Sequence, residues 1–489
     1  LTDTTPSSGS PNVATPSAVE TSPGFVESPG ISDVKAAAIL HMDGEIDYNE
    51  EINFSFRVTP HWSRLPHFQY RRLMHQFFEH FHVYNSYLPR GSTFAAGVNL
   101  AAATIGVGTL SMPYAAYSCG WILFLVLMSA TLAMSLWSLY ALCRLVDATQ
   151  LHSFEMLTRT ILGSHKLEIV VEVIVIFSCF GSAISYVVVI GDIAESIFDT
   201  YKPEWKTSMV RVVAQVVLYV ICLQPLSLLK TMGALKYASS VGVCAIAVLV
   251  VFILGEGFTF GSPSTVDPVV VGTIRTVLGG IPLLFFAVNN QINALEIYSE
   301  MKDRSPGQFL KIACVAVGGI SVIFMFVGSC GLMLFGSDVK GNILKNFSAS
   351  NPLALIALLG VCTKVVLSFP LLMFPCREAV LHFAGIEDVR SAPWKQFVGT
   401  TVVIAAACVV IAIFVPTVVT MFGLIGSICA AMFGFILPGA LALKEERFWK
   451  GLNEDETKRF RIFSWILVVV GVLVGISGTI ISVLNLSTQ

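Results

Sequence analysis

The chain has 489 residues, of which 55% are hydrophobic and only 13% charged, with a formal net charge of −2. Apolar residues come in long runs rather than in the alternation of a soluble core, which excludes a soluble globular domain and points to a polytopic membrane protein. The sequence holds no nucleotide loop, nucleophile constellation or metal-ligand spacing, so neither an enzyme nor a cofactor is expected, and nothing in it suits nucleic acid.

Residues 1–60 are rich in Ser, Thr, Pro and Gly toward their start, lack periodicity and are expected to be mostly disordered. Residues 61–90 turn basic and aromatic, with Arg71, Arg72, Phe77, Phe78, Phe81 and Tyr84, a composition suited to lying along a membrane surface or plugging an inner mouth. His75, His80 and His82 fit no common zinc spacing. Residues 1–90 are therefore expected to form a cytoplasmic tail and residues 91–489 the membrane domain.

Eleven apolar runs follow, over roughly 94–117, 121–143, 167–197, 208–226, 233–256, 270–299, 309–335, 352–376, 397–415, 417–442 and 462–484. Each has about the 20 residues that a helix needs to cross the hydrocarbon layer. Lys and Arg gather in the tail and in every second loop, as at Arg144, Arg159, Lys302, Arg304, Lys444 and Arg447. The opposite loops hold only Lys202, Lys206, Arg211, Lys340 and Lys345. This asymmetry predicts a cytoplasmic N-terminus and an extracellular C-terminus, with the first span as insertion signal. The eleven cysteines lie almost entirely within spans and read as small packing residues.

The first span is interrupted at Ile105-Gly106-Val107-Gly108-Thr109, and Pro113 follows. Backbone unpaired at that depth costs several kcal/mol per group unless it lines a wet, protein-walled cavity, so a polar ligand is expected there. The N–H groups opening the second half-helix suit a carboxylate, because the helix dipole favours an anion. Two reasons for the glycines stand open: close approach of a ligand with a positive φ in the turn, or tight helix packing through small residues together with Ala101 to Ala103. The sixth span offers a matching interruption. After Gly279-Gly280-Ile281-Pro282, the run through Phe286 and Ala287 meets Asn289, Asn290, Gln291 and Asn293, with Glu296 and Glu300 beyond. Freed carbonyls there suit an ammonium group, so the paired interruptions describe a zwitterion.

The stretch Gly97-Val98-Asn99-Leu100 through Gly106-Val107-Gly108-Thr109-Leu110-Ser111-Met112-Pro113-Tyr114-Ala115 resembles the opening signature of the amino acid/auxin permease family. Three further stretches are similar to that family's sodium-coupled neutral amino acid transporters. Gly181 to Asp192 of span three holds Tyr186 ahead of Ile190-Gly191-Asp192, span six has Glu296-Ile297-Tyr298-Ser299-Glu300, and span eight has Leu367-Ser368-Phe369-Pro370 through Phe374-Pro375-Cys376-Arg377. The resemblance covers about residues 92 to 486. It implies an all-α membrane protein of eleven transmembrane helices with a five-plus-five inverted repeat, the leucine-transporter-type fold, discontinuous in helices 1 and 6 and working by alternating access. Asn290-Gln291 stands where those transporters have Cys-His, and Glu296 where they have Pro, so their substrates do not transfer directly.

The residues expected to bind an amino acid substrate are Thr104, Ile105, Gly106, Val107, Gly108, Thr109, Ser182, Tyr186, Phe286, Ala287, Asn289, Asn290, Asn293 and Glu296. Asn99, Lys364 and Ser368 are the candidates for coupling to a proton or sodium ion. Ser368 matches the family's ion-holding Thr, and Lys364 lies one turn before it on the same face, where an ammonium would stand in for sodium. Pairing with a carboxylate or snorkelling is the alternative for Lys364. Glu296 faces either a cationic side chain or, as a gate residue, a basic partner. The overall pattern is similar to a protozoan branch that includes arginine permeases, so cationic amino acids come first, neutral ones second, and an amino acid sensor is the reading outside transport. The plasma membrane is expected, with a lysosomal or vacuolar membrane as the alternative.

Overall fold

A computed structural model describes residues 91–202, 204, 207–229, 236–261, 272–383 and 393–487. The expectations for the tail lie outside these residues. Every regular element among them is helical. Ten helices are long and apolar enough to cross a membrane, and a bent pair supplies the eleventh span.

Span one consists of α1 (Thr93–Thr104) and, after a 3₁₀ turn at Val107–Ser111, α2 (Met112–Cys119), with a 42° bend between the halves. Ser92 caps α1 by accepting from the Ala95 N–H, and Pro113 sits in the first turn of α2, where its missing N–H removes no hydrogen bond. Span two is α3 (Trp121–Thr149), followed by the short α4 (Phe154–Leu162), which ends on Gly163 with φ 66°. Span three, α5 (His165–Tyr201), is 37 residues long and capped by Ser164. Span four begins as α6 (Thr207–Leu218) and widens into a π turn at Tyr219–Leu223, and span five is α7 (Lys236–Phe260).

The second half repeats the plan. Span six is α8 (Ile274–Ala287) and α9 (Gln291–Glu300), span seven is α10 (Pro306–Phe335), span eight is α11 (Pro352–Phe383) and span nine is α12 (Trp394–Phe414). Span ten runs from α13 (Val418–Ile425) through π turns at Gly426–Ala430 and Met432–Ile436 into α14 (Leu437–Lys444). Span eleven is α15 (Glu454–Ser487). Packing obeys the repeat. Spans 1 and 6, 2 and 7, and 3 and 8 pack on one another, pairs that exchange of the halves maps onto themselves. The pair 5–8 maps onto 10–3, 3–4 onto 8–9 and 1–7 onto 6–2, and all of these contacts occur. Because five is odd, the second half enters the membrane from the opposite side, which makes the repeat inverted. Span eleven packs outside it, against spans six and ten.

Candidate functional site

The interruption of span one occupies Ile105 and Gly106, both extended, with φ/ψ of −76°/94° and −128°/−166°. Helix α1 closes with the Ile105 N–H donating to the Ala101 carbonyl at 2.8 Å, and the chain rewinds when the Thr109 N–H reaches the Gly106 carbonyl at 3.2 Å. The N–H groups of Val107 and Gly108, in the first turn of the new helix, lead it without an intrahelical acceptor. The positive φ that the glycines allowed does not occur: among the described residues, the positive-φ glycines are Gly91, Gly120, Gly163, Gly336 and Gly451.

The two glycines instead divide the two remaining roles. A methyl carbon placed on Gly106 would meet nothing within 4 Å, so this backbone faces open space where a ligand can approach. The same carbon on Gly108 would lie 3.2 Å from Ala287 Cα, so Gly108 is where span one presses against the end of α8.

In span six, α8 ends at Ala287 and α9 begins at Gln291, with the Val288 and Asn289 N–H groups tied back to Leu284 and Phe286 carbonyls. The two interruptions are joined directly: Asn290 Nδ2 donates to Thr104 Oγ1 at 2.8 Å, and the Thr104 hydroxyl donates to the Leu100 carbonyl at 2.8 Å. Asn289 Oδ1 and Asn290 Oδ1 are buried without a hydrogen-bond partner among the described residues. Two such amide oxygens just past the end of α8 are acceptors, and an ammonium is all donors. Asn290→Ala removes one of these acceptors and the donor to Thr104. It is expected to raise the half-saturation concentration for substrate by about tenfold, on the order of the 1–3 kcal/mol attached to an orphaned buried partner. Concentration-dependent uptake by the purified protein checks it, and an unchanged value removes Asn290 from the site.

Spans three and ten form the apolar wall. Phe286 stacks on Phe422 with ring centroids 4.5 Å apart, and half-buried Tyr186 packs into the same core as Ile105 and Val107. Ser182 is half-buried on the same helix one turn earlier. Gln291 is turned away: its Nε2 donates to Ser135 of span two at 3.1 Å and its Oε1 accepts from the Asn290 N–H. Ser135 was not among the expected residues, and its only sequence signal is a hydroxyl within span two. Phe422 was likewise missed.

Asn99, Asn293 and Glu296 are exposed, on α1 and α9. Asn293, Glu296 and Glu300 form one open stripe down α9, and the Glu296 carboxylate has no hydrogen-bond or ion-pair partner among the described residues, its carbonyl alone accepting from Ser299 Oγ. By contrast, α2 buries Met112, Pro113, Ala115, Ala116, Ser118 and Cys119, and the later turns of α8 are buried almost throughout. The bundle is thus closed on the α2 side of the interruptions and looser on the α1 side. At the loose end, the residues just before α1 and just after α9 are tied together, because the Lys302 N–H donates to the Gly91 carbonyl at 3.1 Å.

Lys364 is 8% exposed within span eight, and Ser368 is buried beside it at 9%. The Lys364 stem lies against span five, where a methyl carbon on Gly242 would be 2.9 Å from its Cγ. No carboxylate pairs with Lys364 among the described residues, which removes the ion-pair alternative there. The Asp192 and Glu195 carboxylates belong to a different cluster, with Arg211 and Lys345.

A profile of the family described as transmembrane amino acid transporter protein matches residues 89–484. The chain is 28% identical over 391 residues to sodium-coupled neutral amino acid symporter 2 of Danio rerio, covering 73% of this chain and 76% of that protein. It is 25% identical over 417 residues to amino acid transporter AVT6E of Arabidopsis thaliana, covering 81% and 84%. Vacuolar amino acid transporter 6 of Saccharomyces cerevisiae is 25% identical over 397 residues, covering 69% and 87%. Two interrupted helices meeting inside an eleven-span inverted repeat, matched by this profile over most of its length, make the chain a member of the transmembrane amino acid transporter family, a membrane transporter and not an enzyme.

Proposed function

We propose that this transporter carries cationic amino acids by alternating access, holding the substrate carboxylate at the Val107 and Gly108 N–H groups and its ammonium at the span-six carbonyls with Asn289 and Asn290. The observation that carries this is the meeting of the two interruptions, with Gly108 on Ala287 and Asn290 bonded to Thr104. Glu296, unpaired on the open stripe of α9, favours a cationic side chain over a gate ion pair. Acids on that stripe, Glu296 with Glu300, attract cations and repel anions.

From the loop charges we infer a cytoplasmic tail and an outside C-terminus, with the plasma membrane as the location, so that the loose α1 side faces inward. A neutral substrate is the second reading, favoured by the uncharged wall of Phe286, Phe422, Tyr186 and Thr104. Labelled arginine should enter proteoliposomes and compete with lysine more than with alanine or proline, and Glu296→Gln should weaken arginine more than alanine. If arginine does not enter while alanine does, the neutral reading replaces the cationic one. Substrate counterflow separates both from a sensor, which cannot cycle.

A further inference from the structure

The end of the bundle opposite the start of α1 is covered by the segment between α10 and α11. Its 3₁₀ turn Ile343–Asn346 reaches the Val107–Ser111 turn of span one, and Ile343 and Leu344 are 0% and 1% exposed in the same core as Ile105, Val107 and Leu110. A substrate arriving from that side cannot reach the interruption until this turn withdraws. What holds the turn is polar. Asn342 Nδ2 donates to Asp192 Oδ2 at 3.0 Å, Lys345 Nζ lies 2.9 Å from Glu195 Oε2, and it lies 3.9 Å from Asp192 Oδ1. Beyond the turn, Thr200 and Ser348 share a hydroxyl hydrogen bond at 3.4 Å, and the Tyr201 hydroxyl donates to the Ala349 carbonyl.

Asp192 is 2% exposed, and its other oxygen accepts from Arg211 Nη1 at 2.7 Å, while Arg211 Nη2 donates to the Val415 carbonyl at 3.1 Å. One carboxylate thus joins spans three, four and nine to the covering segment. A buried carboxylate is tolerated only when its acceptors are filled, so losing Asn342 and Lys345 leaves Asp192 with Arg211 alone and makes release of the segment a discrete step. Gly191 lies beside it, where a side chain would collide with Gln215 Nε2 at 2.7 Å and with the Arg211 stem at 2.8 Å. The close fit leaves the carboxylate little freedom to follow a departing partner.

We infer that Asp192 is a positioning residue for transport, the fixed post to which Asn342 and Lys345 latch the 339–351 segment as a lid over the span-one interruption. The inference rests on the transport reading and deepens it by naming the residue that controls access from this side. It asks that the segment stay latched while the α1 side is loose and release when the substrate site opens the other way. Glu195 and Arg211 support the post, and Thr200 with Ser348 marks its edge.

Thr200→Cys combined with Ser348→Cys tests the lid without disturbing Asp192. Cross-linked by oxidation in the full-length protein in proteoliposomes, the pair is expected to reduce counterflow of a labelled amino acid to background, with recovery on reduction and no effect in either single variant. Unchanged counterflow from fully cross-linked protein overturns the lid. Asp192→Asn tests the post through a cysteine introduced at Leu110, beneath the turn. Labelling by a membrane-impermeant maleimide from the lid side is expected to rise about tenfold, as for a lid whose open population has grown by that factor. Labelling equal to that of the Leu110→Cys parent overturns the latch. Single-cysteine controls that fail to exchange any amino acid defeat the transport reading instead, and the labelling arm, which needs no transport, still decides the latch.

Discussion

Gly108→Val is expected to cut amino acid uptake by about a hundredfold while Gly106→Ala leaves the bundle intact. The two glycines are two residues apart in one motif, yet only Gly108 touches span six. Its added carbon would stand 3.2 Å from Ala287 Cα and 3.5 Å from Ala287 Cβ, and backbone atoms cannot rotate out of the way as a side-chain tip can. Valine adds two further carbons, so the spans must separate by a substantial fraction of an ångström. A displacement near 1 Å of a group that positions a substrate costs on the order of a hundredfold. At Gly106 no atom lies within 4 Å, so alanine intrudes only on the ligand's space. Its effect should appear as a raised half-saturation concentration with a normal elution profile and melting temperature. Uptake kinetics and thermal melting of both purified variants distinguish the cases. Equal behaviour would show that the glycines share one role.

That division of labour was beyond reading from the sequence, although the interruption itself was plain. Gly106, Gly108 and Pro113 within an apolar run of bilayer length announce weakened helix, and the eleven runs announce the spans, because both are local properties of composition. Which glycine faces a ligand and which faces a helix depends on Ala287, almost 180 residues on. The same distance hid Ser135, whose hydroxyl occupies Gln291 from 156 positions away. It hid Phe422 against Phe286 as well, and the close approach of Gly426 to the Pro282 carbonyl. The two π turns of span ten leave no periodic signature either. Asn289 to Gln291 read as one amide cluster, but the chain is unwound at Asn289 and Asn290 and helical again from Gln291, so Gln291 goes to span two while Asn290 turns to Thr104. Where a helix restarts, neighbouring side chains need not share a direction, so chemistry that is contiguous in sequence is divided in space.

Lys364→Met is expected to stabilise the purified protein and to abolish stimulation of uptake by a proton gradient. An ammonium within a span costs at least about 2.5 kcal/mol near the bilayer centre, and such residues persist where they have work to do. Lys364 is 8% exposed, leans its stem on Gly242 and has no carboxylate partner among the described residues, so no ion pair offsets that cost. Methionine matches the stem in length and flexibility and removes the charge, so a gain of roughly 2 kcal/mol is expected from the same insertion scale. The consequence for transport is opposite in sign. If the ammonium occupies the place of a sodium ion beside Ser368, wild-type uptake proceeds without sodium and follows the proton gradient that loads and unloads Lys364. The methionine variant can then bind substrate but not couple, so exchange survives while gradient-driven accumulation is lost. A purely structural lysine gives another pattern: the variant would melt lower or fail to assemble, and any remaining uptake would keep its gradient dependence. Sodium-dependent uptake by the wild type that persists unchanged in Lys364→Met would remove the ammonium from the coupling site altogether.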